Sequence, residues 1–159
     1  MDNQIYIDVL KDSLGKKVEV LDKLLQITLL QENIISTSPF DSEEFEQAYE
    51  KKDDLILRLN ELDEGFEQIY DHVKDVLGNN KLEHKGDIIQ LQNLIRQITD
   101  KSTELQSIEI RNKQKLDIIF TNRKKEIKDY KINSQTASSY YKNMTDQHQG
   151  QSYFYDKKK

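Results

Sequence analysis

The chain has 159 residues, enough for about one domain. It is 33% charged and 35% hydrophobic, with one proline, five glycines and a mean hydropathy of −0.85. That balance excludes a thick globular core and favours long amphipathic helices around a narrow seam. With no cysteine, disulfides and thiolate metal sites are excluded, and a reducing cytoplasm is the natural setting. The opening, Met1-Asp2-Asn3-Gln4, has no positively charged region and no apolar run, so neither a signal peptide nor a membrane span is expected. The net charge of −5 hides an asymmetry: residues 111–159 hold 12 Lys/Arg against 5 Asp/Glu, and residues 1–110 hold 12 against 24. The basic end is sparse in cations between Lys131 and Lys157, so it forms no nucleic-acid footprint.

Helix 1 is predicted over Asn3–Ser36, with Leu10, Leu14, Val18, Leu21, Leu25, Thr28, Glu32 and Ile35 along its seam and Leu24, Ile27, Leu29 and Ile34 widening it. Gly15 is a weak point inside it. Pro39 then holds Ser38 away from helical angles. Asp41 has the character of an N-cap with Glu44 at N3, and Phe40 and Phe45 have the spacing of a hydrophobic staple.

Helix 2 is predicted from about Ser42 to Leu77, closed by Gly78 as a left-handed C-cap. It carries the clearest pattern in the chain. Phe45, Ala48, Lys52, Leu55, Leu59, Leu62, Phe66, Ile69, Val73 and Val76 alternate in steps of three and four, and only Lys52 is not apolar. This is the seam of a helix packed lengthwise on other helices. A polar loop follows, and helix 3 is expected to begin near Asp87, with Gln90 completing a capping box. Its seam reads Ile88, Leu91, Ile95, Ile98, Ser102, Leu105, Ile108, Asn112, Leu116 and Ile119, with Ser102 and Asn112 as polar register-setting positions. Short connections make neighbours antiparallel. The fold class is therefore all-α, an antiparallel three-helix bundle with an extended third helix. Residues 1–122 form the bundle, and residues 123–159 a projecting end of helix 3 with a Tyr-rich tail.

The projecting end holds no Ile, Leu or Val after Ile132, yet Tyr140, Tyr141, Tyr153, Phe154 and Tyr155 crowd its last twenty residues. It cannot bury a core of its own. Ile127, Tyr130, Ser134, Ala137, Tyr141 and Met144 still step by three and four, a faint helical face that a partner could cover. Tyrosine suits such contacts, with a large area, a polar tip and few rotors.

Catalytic and metal chemistry is not suggested. His72, His84 and His148 are scattered and form no His-Glu-x-x-His or Glu-x-x-His arrangement, so no metal or cofactor site is expected. Asp71 and Asp75 share a face of an acidic helix and read as solvated. No glycine-rich phosphate loop or nucleophile elbow is present. The acidic faces over residues 1–110 disfavour anionic membranes.

Four stretches resemble the FlgN-type flagellar export chaperones. They are Val20–Leu25, the run from Glu50 to Phe66 with its Leu62-Asp63-Glu64-Gly65-Phe66 element, Ile110–Leu116 with an Asn in the seam, and the closing Tyr140-Tyr141 and Ser152–Lys159. The resemblance implies a cytoplasmic, non-enzymatic chaperone without cofactors. Such a protein binds hook–filament junction proteins, keeps them unassembled and delivers them to the flagellar type III export gate. By the same resemblance the substrate face would be Ile127, Tyr130, Ala137, Tyr141 and Met144, with Tyr140 or Tyr141 docking at the gate. This chain departs from the family in Ser134 and in a less apolar face. The alternatives are a structural coiled-coil protein acting through self-association and a FliT-like chaperone that also sequesters a regulator. Pairing of the uncovered helix 3 with a second copy would give a homodimer.

Overall fold

The three periodic stretches fold into three helices: α1 (Asn3–Ser36), α2 (Ser42–Asn79) and α3 (Lys85–Thr121). They come from a computed structural model, which describes residues 3–121. At 34, 38 and 37 residues, they span about 50–57 Å. α1 packs closely along both other helices, whereas α2 and α3 stand further apart and meet through long side chains. Cross-helix pairs fix the directions. Lys17 meets Asp63 and Gln31 meets Lys52, so α1 and α2 are antiparallel. Asp22 meets Lys101 and Glu32 meets Arg111, so α1 and α3 run the same way. The described chain is thus the all-α, up-down-up bundle that its periodicity and short connections dictate.

The first connection follows its sequence. The Asp41 carboxylate accepts the Glu44 backbone N–H at 3.1 Å, and the Phe40 and Phe45 rings lie 5.7 Å apart, so both cap and staple form. The second connection departs from expectation. α2 continues through Gly78 to Asn79, and no described glycine has a positive φ. The Asn80 N–H donates to the Val76 carbonyl at 3.0 Å, which closes a further turn without a left-handed residue. α3 likewise starts at Lys85, because the Ile88 N–H donates to the His84 carbonyl at 2.9 Å. Asp87 therefore sits in the first turn rather than at the N-cap. Its carboxylate receives Lys11 from α1 and faces His84 Nδ1 at 3.4 Å.

The seams are stricter than composition suggests. In α2 all ten heptad positions are buried or half-buried. In α1 the fully buried series is Ile7, Leu10, Leu14, Lys17, Leu21, Leu24, Thr28, Gln31 and Ile35, again in steps of three and four. Of the eight predicted α1 seam positions, Leu10, Leu14, Leu21, Thr28 and Ile35 are buried as expected, whereas Val18, Leu25 and Glu32 are half-buried flanks one position off the seam, and Leu29 is exposed. In α3 the strict series is Leu91, Ile95, Ile98, Ser102, Leu105, Glu109, Asn112 and Leu116, with Ile108 also buried beside it. No described helix is long and apolar enough to cross a membrane.

Candidate functional site

The strict seams put charge in the interior. Lys52 has no solvent exposure and Glu109 retains 2%, and the two side chains contact each other across the α2–α3 interface. Lys52 Nζ also donates to Gln31 Oε1 at 3.0 Å and lies 5.7 Å from the centre of the Tyr49 ring. One turn away, Asn112 Nδ2 donates to the Thr28 carbonyl at 3.2 Å, and Thr28 Oγ1 donates to the Leu24 carbonyl at 2.7 Å. Every helix thus contributes: Thr28 and Gln31 from α1, Lys52 from α2, and Glu109 and Asn112 from α3. A buried amine loses hydration that favours its charged form. Burial therefore pulls the Lys52 ammonium below its usual value of 10.5, with Asp53 opposing.

This polar layer divides the apolar interior in two. On the side of the α2–α3 connection lies a cluster that includes Ile7, Leu14, Leu24, Leu59, Phe66, Leu91 and Leu105. On the Pro39 side lies a smaller cluster of Ile34, Ile35, Phe45, Ala48, Tyr49 and Leu116, with Ile119 and Phe120 packed on it. A second buried cation, Lys17, lies within the larger half and pairs with Asp63. Burial lowers its pKa from the usual 10.5, and Asp63 opposes that shift.

A shallow groove of about 300 Å³ between α1 and α2 is lined by Lys23, Gln26, Ile27, Lys51, Asp54 and Leu55. Among the described residues no group of three or more His, Asp or Glu side chains is placed to hold a metal ion. His72 stacks obliquely on Tyr6, with ring centres 4.4 Å apart, and Asp71 faces Lys74 at 3.5 Å.

The residues proposed from sequence for partner binding, Ile127, Tyr130, Ala137, Tyr140, Tyr141 and Met144, lie outside the described residues, as do the projecting end and the homodimer contact expected there. Of the polar seam positions, Lys52, Ser102 and Asn112 are inside as expected, and Ser102 Oγ donates to the Ile98 carbonyl at 2.6 Å. Sequence reasoning missed Glu109, Gln31 and Lys17. The signal was present: continuing the three-four alternation strictly from Leu91 lands on Glu109 rather than Ile108, and doing so from Ile7 lands on Lys17 and Gln31.

Fold and interior together define the class: a long three-helix bundle with heptad seams and one charged layer crossing all three helices. No family model matches the chain, and no curated protein or solved structure is similar to it at a significant level.

Proposed function

We propose that this chain is a helical chaperone of flagellar type III export that binds hook–filament junction proteins. In this reading it masks their assembly helices until delivery to the export gate, without catalysing a reaction. The observation that carries the proposal is the match between the bundle and the sequence resemblance. The described seams pair among α1, α2 and α3, and Thr121 lies at the Pro39 end. The stepped Tyr/Ala/Met face follows these seams in the sequence. A reversible chaperone needs such a modest face, because a partner must later be released, and ordering costs would limit affinity further. The substrate face in this reading is Ile127, Tyr130, Ala137, Tyr141 and Met144, and Tyr140 or Tyr141 docks at the gate. The test is calorimetric titration of the cognate junction proteins into the full chain and into a chain ending at Asn133. Binding to the first alone supports the reading. Equal binding to both removes the site from residues 134–159, and no binding to either removes the chaperone assignment.

A further inference from the structure

The polar layer lies where every helix crosses from the larger apolar cluster to the smaller one. Beyond it, α3 is anchored by a single fully buried apolar side chain, Leu116, with Ile119 and Phe120 half-buried beside it. Apart from the buried Asn112–Thr28 hydrogen bond, its fastenings there include surface contacts. Arg111 Nε donates to Glu32 at 3.1 Å and Lys115 Nζ to Ser36 Oγ at 3.3 Å, both exposed and therefore screened by salt. The α1–α2 hairpin at the same end is held independently by its five-residue connection, the Asp41 cap and the Phe40–Phe45 contact. Lifting the end of α3 uncovers the smaller cluster, of six buried residues. It also returns Lys52 and Glu109 to water, which offsets part of the loss, because both ions are desolvated in the closed bundle. Opening at the other end uncovers the cluster of fifteen buried residues, a larger apolar loss than rehydrating the single buried Lys17 there would offset.

We propose that Glu109–Thr121 opens as a cooperative unit of its own, with the charged layer as its boundary, while the rest of the bundle stays folded. Opening uncovers Ile34, Ile35, Phe45, Ala48 and Tyr49 on the hairpin, a face that the end of α3 otherwise straps over. This device follows from the bundle alone and stands whether or not the export reading does.

Native-state hydrogen exchange of the full chain, followed by mass spectrometry in rising sub-denaturing urea, tests it. Amides of residues 110–121 are expected to exchange about a hundredfold faster than those of 91–105, as one step located at Glu109 and with weak urea dependence. Ile95→Val, in the larger cluster, should speed exchange at 91–105 by about fivefold. It should leave 110–121 unchanged, because Ile95 stays packed when only the strap lifts. A common exchange rate with a common response to Ile95→Val overturns the proposal. So does a graded loss of protection toward Thr121 with no step, which is fraying rather than a unit.

Discussion

Lys52 sits between Gln31 and Glu109 with no exposure to water, so removing one charge and removing both differ in sign. Lys52→Met leaves a buried carboxylate without its counter-ion and should lower stability by about 3–5 kcal/mol. Lys52→Met combined with Glu109→Leu removes the desolvation cost as well, and should leave the bundle unchanged or raise stability by up to about 4 kcal/mol. Guanidinium titrations of the three proteins read this directly. The pair is then better understood as fixing register than as adding stability: only one alignment of the three heptads brings Gln31, Lys52 and Glu109 to the same level. Asp87 presents the opposite case, near the bundle's other end. The hydrogen bond from Lys11 holds its carboxyl below the usual 3.8, against the effect of burial, and His84 adds to the lowering. A carboxyl depressed in the folded state stabilises above its unfolded value, and that contribution is lost as pH falls through the folded one. Asp87→Asn should therefore lower the melting temperature at neutral pH. The gap from wild type should close as the pH is taken below 3.8, which thermal melts across that range will show.

At the scale of the helices, two glycines interrupt otherwise strong formers. A Cβ built on Gly15 in α1 or Gly65 in α2 meets nothing within 4 Å, and neither residue has a positive φ. Gly15→Ala and Gly65→Ala should each stabilise by about 0.5–1 kcal/mol through reduced backbone freedom in the unfolded chain. A rise in melting temperature for each is the expected readout. The same scale shows what the sequence made legible. The α2 seam was legible along its length, because it contains one polar residue and the alternation continues through it. α1 and α3 each carry buried polar residues at seam positions, with an apolar neighbour one step away, as Val18 follows Lys17 and Ile108 precedes Glu109. Hydrophobicity draws the reading onto the neighbour, whereas packing obeys the period. The charges could be placed inside only by knowing their partners, and partnership is set by the register of three helices together. The helix ends at the second connection were obscured for a different reason. Gly78 and Asp87 have the chemistry of caps, but α2 closes a further turn on Val76 and Asp87 is taken by Lys11 from another helix.

For the whole molecule, charge distribution separates the chaperone reading from a self-associating coiled coil. Glu43, Glu46, Glu50, Asp53, Glu61, Glu64, Asp71 and Asp75 fall in steps of three and four, interrupted by Leu57 and Gln68, and all eight are exposed. They lie opposite the seam, so α2 turns an almost wholly acidic stripe outward. Residues 1–121 hold 15 Lys/Arg against 25 Asp/Glu, and residues 122–159 hold 9 against 4. Two bundles meeting along α2 would bring like charges together at low ionic strength, where the Debye length is longest. The buried apolar seams meanwhile are shared among α1, α2 and α3. A chain ending at Asn133 is therefore expected to sediment as a monomer at about 0.01 M salt and to melt within a few degrees of the full chain, since its core runs from Ile7 to Phe120. Analytical ultracentrifugation with a parallel circular-dichroism melt checks both. A stable oligomer of the shortened chain would favour the structural coiled coil over the chaperone. A monomer with an intact transition would leave residues 134–159 available for a partner, and in the full chain Tyr130→Ala, just before them, combined with Tyr141→Ala should weaken junction-protein binding at least about tenfold without loss of helicity.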